Sequence, residues 1–251
     1  MSLRKQIKRA CILLFAAVSV LCAAGCGEKV TAEGLLSGAA AAPGMRANLS
    51  VRADFTSGTK EQTAKYEGIF SAKDNVRYLK GLGLLDNAEK EIEYYIRYLP
   101  GQTPEEDFIE VFAYRKKDGI WKMSPYEDTM DSLQELFSSV QNPVLGETGK
   151  NAPSYTVSGT IPLEVIRNFA VISHTGRGIA AIIMQMPMET PLRAELSFSA
   201  MNQMPTVMKC VLPAPLEFGE KTLTAFEIQL AITDMTLASL EIPPEVLEDA
   251  E

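Results

Sequence analysis

The 251-residue chain has one histidine and one tryptophan, and three of its four cysteines fall within the first 26 residues. A single histidine excludes His-rich metal sites and leaves only His174 as an imidazole general base. His174 stands in His-Thr-Gly with no nucleophile and orienting acid recognisable beside it, so it reads as a helix-terminal or surface residue. Basic charge is also short, with 24 Lys and Arg against 32 Asp and Glu. Arg115-Lys116-Lys117 is followed at once by Asp118 and reads as a hairpin end. Nucleic acid and anionic headgroup surfaces are therefore poor partners. The longest apolar run, Ala10 to Gly25, has 16 residues, fewer than the roughly 20 that a helix needs to cross a bilayer core.

That run has a different use. Arg4, Lys5, Lys8 and Arg9 precede it with no acid among the first ten residues, the layout of an export signal. It ends in Ala23-Ala24-Gly25-Cys26, which resembles the lipobox of bacterial lipoproteins, with Ala23 where Leu is commonest. The resemblance implies cleavage before Cys26 and diacylglyceryl and palmitoyl lipid on that cysteine. Two acyl chains at about 0.8 kcal/mol per buried methylene hold firmly where one would not. The expected organisation is a signal peptide over 1–25, a lipidated cysteine and short tether over 26–31, and one domain over 32–251. The expected location is the extracytoplasmic face of the cell membrane.

Without the first 25 residues, 20 basic residues stand against 32 acidic ones, a net charge of −12. Cys11 and Cys22 leave with the signal and Cys26 carries lipid, so Cys210 has no disulfide partner and the domain must be held by its core. The mature length suits one large domain, expected to be a monomer.

The pattern is mainly that of strands. Met45 to Phe55 alternates strictly, with Met45, Ala47, Leu49, Val51, Ala53 and Phe55 on one face and polar residues on the other. The same period recurs at Ile92 to Tyr98, at Ala194 to Phe198 and at Phe226 to Ile232. Shorter strands are expected at 66–72, 76–80, 108–115, 120–123, 155–159 and 207–212. Lys73-Asp74-Asn75 and Lys117-Asp118-Gly119 supply hairpin turns. Ser124-Pro125-Tyr126-Glu127 has the form of a capping box with proline at the first helical position, and predicts a helix over Pro125 to Val140. Further helices are predicted over 32–41, 162–172 and 178–185. The class is α+β, with helices gathered on one face of a large curved antiparallel sheet.

The opening TAEGLLSGAAAAPGMRANLSVRADF, the middle YTVSGTIPLEVIRNF and the closing IPPEVLEDA resemble, in order and layout, the LolA-like and LppX-like superfamily of lipoprotein carriers and lipid-binding lipoproteins. The resemblance implies a half-barrel of antiparallel strands with helices on its concave apolar face and lipid held between. A carrier need not be tethered, and this chain is expected to be.

No catalytic group, metal site or cofactor is expected. Glu105-Glu106-Asp107 and the pair Asp128 and Asp131 lack the alternation of a calcium loop and read as solvated charge. Gly81-Leu82-Gly83 lacks the third glycine and the strand-to-helix setting of a phosphate loop. Cys210 reads as a buried, inert thiol. Methionine is the compositional oddity: Met184, Met186, Met188, Met201, Met204 and Met208 put six of 11 methionines within 25 residues. Unbranched and polarizable, they are candidates to line an adaptable pocket with Tyr94, Tyr98, Phe198 and Phe226, or else to fill a core. Two non-enzymatic functions follow: binding of a lipid or acyl chain, or an interaction or sensor module with a solid core that meets an envelope protein partner.

Overall fold

In the computed structural model, residues 29–85, 88–99, 110–126, 131–146, 154–170, 172, 177–218 and 221–250 are described. Export signal, Cys26 and His174 lie outside them, as do Glu105 to Asp107 and Asp128. Contacts divide the chain into Met1–Thr31 and Ala32–Glu251.

Twelve strands form one open antiparallel sheet. The first wing is a meander of β1 (Gly44–Ser57), β2 (Lys60–Lys73), β3 (Val76–Leu85), β4 (Ala88–Leu99), β5 (Glu110–Lys117) and β6 (Ile120–Tyr126). The second holds β7 (Gln141–Leu145), β8 (Ser154–Pro162), β9 (Pro191–Ser199), β10 (Pro205–Val211) and β12 (Lys221–Asp234), with β11 (Leu216–Phe218) beside β12. The spatial order is β6-β5-β4-β3-β2-β1-β12-β10-β9-β8-β7, so the first and last long strands join the wings at the centre. That joint runs from Arg46↔Asp234 to Ser57↔Lys221 and skips one residue twice, at Thr233 and Thr224. Each skipped threonine donates its hydroxyl across the joint, to Arg46 O at 3.2 Å and Asp54 O at 3.0 Å. A bulge leaves ladder groups unpaired, and these hydroxyls satisfy two of the carbonyls.

Alternation sets the core. The six residues of β1 expected to face inward are all 5 % exposed or less. Their neighbours across the ladders, such as Phe70, Tyr66, Leu230, Ile228 and Phe226, continue the same face. The outermost strands β6 and β7 carry Pro125 and Pro143. Proline at an edge lacks only a donor with nothing to bond, and it discourages pairing with another chain.

Helices cover this face. α1 (Ala32–Ala40) packs on α2 (Leu133–Ser138), which touches α3 (Leu163–Phe169), while α4 (Arg177–Ile183) lies on β1, β2 and β3. Phe169 of α3 meets Phe70 edge-on at 5.5 Å between ring centroids. The segment carrying α2 joins β6 at one edge of the sheet to β7 at the other, so part of the roof is a crossover.

The helix predicted over Pro125 to Val140 is corrected. Ser124, Pro125 and Tyr126 pair with Ala113, Phe112 and Val111, so the strand runs to Tyr126. The helix begins at Leu133, where a second box with the same spacing is formed. Ser132 Oγ accepts from Glu135 N at 3.1 Å, and Glu135 Oε2 accepts from Ser132 N at 2.6 Å. Edge pairing claimed the first signal and left the second to start the helix. The helices predicted over 162–172 and 178–185 are trimmed to 163–169 and 177–183.

The expectation of helices on one face holds for four of the five helices among the described residues. After β12 the chain returns past Gly44, which bridges to Thr236, and places α5 (Pro244–Asp249) on the opposite face. There Ile242 and Val246 pack with Val76, Tyr114 and Trp121 in a second, smaller cluster.

Candidate functional site

The apolar face and its roof hold the residues singled out by composition, although not at one point. Tyr98, Phe198 and Phe226 are at most 2 % exposed, and Tyr94 is half-buried under the Arg115 guanidinium, 5.5 Å from its ring centroid. Tyr94 on β4 and Met208 on β10 lie five strands apart, roughly 24 Å at about 4.8 Å per strand. They share a face rather than a pocket.

The methionines divide in the same way. Met208 pairs with Leu196 and Leu230 inside the core, and Met186, just after α4, is buried. Met188 and Met204 are half-buried. Met184 is 57 % exposed, with its sulfur 3.7 Å from Arg167 Nη1, and Met201 is 93 % exposed in the turn after β9. Of the six, Met186 and Met208 belong to the roof-and-sheet interior. Leu49, Val51, Phe70, Ile166 and Ile183 there are each at most 1 % exposed, and buried side chains fill the interface.

Close approach of β2 and β3 shapes the middle of this face. Gly68 and Gly81 face one another, and a Cβ on Gly68 would meet Lys80 O, the Tyr66 hydroxyl and Gly81 Cα. The buried Tyr66 hydroxyl has no hydrogen-bond partner among the described residues, and burial holds its pKa far above the ordinary phenol value. Cys210 is buried on the same face, and burial pushes its thiol up to about 12, which keeps it protonated and inert.

Arg77 is the feature sequence reasoning missed. It takes an inward position on β3, between Ala72 and Ile96, and is 2 % exposed. Its guanidinium lies 5.3 Å from the Phe169 centroid. Nη1 donates to Asp74 O and Val76 O, both at 3.1 Å, Nη2 donates to Asp131 O at 2.9 Å, and Nε has no acceptor among the described residues. Burial lowers its pKa to about 10, which still leaves it charged at neutral pH. Asp131 moves the opposite way. Burial, with Glu135 and Glu164 nearby, raises it to about 6, against the lowering influence of Arg77 and Arg167. Val76 and Tyr78 flank Arg77 on the opposite face while Leu79 shares its own, so the stretch shows no clean alternation and no sequence signal marks Arg77 as buried.

Among the described residues, solvent-open concavities include two with charged walls. One of about 190 Å3 lies between the α1–β1 connection, the β2–β3 turn and the start of α2, lined by residues that include Lys73, Arg77 and Ser132. The other, about 810 Å3, is a charged groove where β4 runs past the β5–β6 turn, with Lys80, Lys90, Arg115, Glu89 and Glu91 on its walls. Neither has Phe70, Phe169 or an α4 residue in its lining. Among the described residues no group of three or more His, Cys, Asp or Glu is placed to hold a metal ion.

No protein-family model and no curated protein matches the chain. Among solved structures, LprF from Mycobacterium bovis aligns at 15 % identity and TM-score 0.41, over 84 % of this chain and 95 % of that one. A DUF1329 family protein from Desulfovibrio piger aligns at 8 % identity and TM-score 0.27, over 82 % and 90 %. At these scores neither alignment fixes a fold family or a ligand.

Proposed function

We propose that this protein is a non-catalytic lipoprotein, held on the extracytoplasmic face of the cell membrane by lipid on Cys26, that binds an acyl chain or similar apolar ligand between its sheet and its helical roof. The observation that carries the reading is the make-up of the roof. Four helices of six to nine residues, rather than a second sheet, cover the apolar face of a twelve-stranded sheet. Short helices held mainly by one apolar side can lift or slide at modest cost, which a rigid sandwich cannot. The α4 segment suits this best, since Ile179, Ile182, Ile183 and Met186 are all buried and the methionine adapts to altered packing. Because side chains fill the interface, a ligand enters by displacing part of the roof.

That same filled interface favours a second reading, an interaction module for an envelope protein partner whose interior stays solid. Native mass spectrometry with organic extraction, on residues 27–251 exported by a bacterial host and purified without detergent, separates the two. The expected result is a stoichiometric co-purifying lipid or saturable uptake of added fatty acid. A clean apo mass with no uptake of fatty acid or phospholipid sinks the lipid reading and leaves the interaction module.

A further inference from the structure

We propose that the 190 Å3 pocket beside Arg77 is an anion subsite, in which a small oxyanion, a carboxylate or a phosphate or sulfate group, supplies the counter-ion that the buried guanidinium lacks. A buried cation is costly unless it is paired and fully hydrogen-bonded. Arg77 is neither: among the described residues no carboxylate oxygen comes within 4.0 Å of it, its three acceptors are main-chain carbonyls, and Nε is unsatisfied.

Two of the nearby acids are turned to other partners. The Asp74 carboxylate is 72 % exposed and 3.4 Å from Lys73, and Glu135 accepts from the Ser132 amide. The pocket also holds spare donors. Ser132 Oγ accepts from Glu135 N, which leaves its own proton free to donate, and the Gln134 amide lies beside it. Lys73 Nζ donates to Pro43 O at 2.8 Å and keeps further protons. Asp74 also lines the pocket, and Ala40, Ala42, Pro43, Ala72 and Leu133 keep it partly apolar, which strengthens a charge-assisted bond. At 190 Å3 the pocket has room for one small oxyanion.

The charges facing Asp131 and Arg77 give the site a pH dependence. They are Asp74 in the β2–β3 turn, Tyr98 on β4, Glu135 on α2, and Glu164 and Arg167 on α3. As pH falls through about 6, Asp131 loses its charge and repels an anion less. Anion uptake therefore strengthens on acidification, and Asp131→Asn removes most of that change.

The test is calorimetric titration of the full chain in a non-ionic detergent, with sulfate, whose charge is fixed across this range, and with dihexanoyl phosphatidate. The expected result is saturable sulfate binding, tighter at about pH 5 than at about pH 7.5. Arg77→Lys should weaken it by about tenfold, the scale of one charge-assisted hydrogen bond. Ala42→Trp, which fills the pocket without altering Arg77, should abolish it while leaving the melting temperature unchanged, so loss of binding is not confused with loss of fold. Phosphatidate binding that tracks sulfate through both variants assigns the site to a lipid headgroup, and sulfate binding alone assigns it to a free anion; both support the subsite. Absence of saturable sulfate binding, or binding that survives Ala42→Trp, overturns it. The subsite does not depend on the acyl-chain reading: fatty acid uptake that ignores both variants would keep that reading and remove this one.

Discussion

The two faces of the sheet are covered in different ways. On one, apolar side chains run from β4 to β8 under four helices, interrupted on β3 by the inward Arg77. On the other, cover is local: the C-terminal segment lays Ile242 and Val246 over Val76, Tyr114 and Trp121. The rest of that face mixes the exposed apolar residues Ile69, Leu82 and Met123 with polar ones, Arg52 bonded to Asp54 at 2.9 Å and Lys80 and Lys116 near Glu93 at 3.3 and 3.6 Å. Such exposed pairs contribute roughly 0 to 1 kcal/mol each, far less than a buried aromatic. The first face thus carries the fold, and the second is a clasp on one wing.

Several variants sharpen the contrast. Phe70→Ala empties the contact with Phe169 and is expected to cost about 3–5 kcal/mol, read as a lower urea midpoint. Gly68→Ala pushes a methyl group against β3 and the Tyr66 hydroxyl, with an expected loss of about 1–3 kcal/mol in the same titration. On the other face, Val246→Ala should cost about 1–2 kcal/mol. Its signature is local, because Trp121 is the chain's only tryptophan and sits in that cluster. Its emission should shift to the red while the far-ultraviolet circular dichroism is retained. A Phe70→Ala protein that kept its midpoint while Val246→Ala unfolded would reverse the account.

Smaller effects belong to the roof. Ser132→Ala removes the cap of α2 and should cost about 1 kcal/mol by thermal melting. Asp131 has a raised folded-state pKa, so folding favours its neutral form. The stability it lends is complete below its ordinary value near 3.8 and is lost as pH rises through about 6. Partial solvent screening limits the change to about 1 kcal/mol. Asp131→Asn should flatten the pH profile across that window, and an unchanged profile would refute the assignment.

The first face was largely legible, because burial on one side imposes a period of two. Every inward residue named in β1 is inward, and the turns at Asp74 and at Asp118-Gly119 are present, with φ of 47°, 54° and 85°. β7 escaped notice because Gln141-Asn142-Pro143 breaks the alternation and the strand lies at an edge. The second face escaped because its clasp comes from scattered residues, Ile242 and Val246, with no period to reveal them. The candidate site was legible only as chemistry. Methionine enrichment located the roof segment, but spacing along the chain did not show that Met201 sits in an exposed turn and Met208 in the core. Arg77 was hidden for a physical reason: its inward position is set by the register of β2, β3 and β4 and by a carbonyl 54 residues away, at Asp131.

The central claim is that the helix-covered face opens to an apolar ligand while the clasped face does not. Hydrogen exchange of the protein with and without added fatty acid tests it most directly. The expected result is altered protection in α3, α4 and the facing backbone of β1 to β3, with β5, β6 and α5 unchanged. Unaltered exchange in α4 at saturating ligand, or changes confined to the α5 clasp, would contradict it.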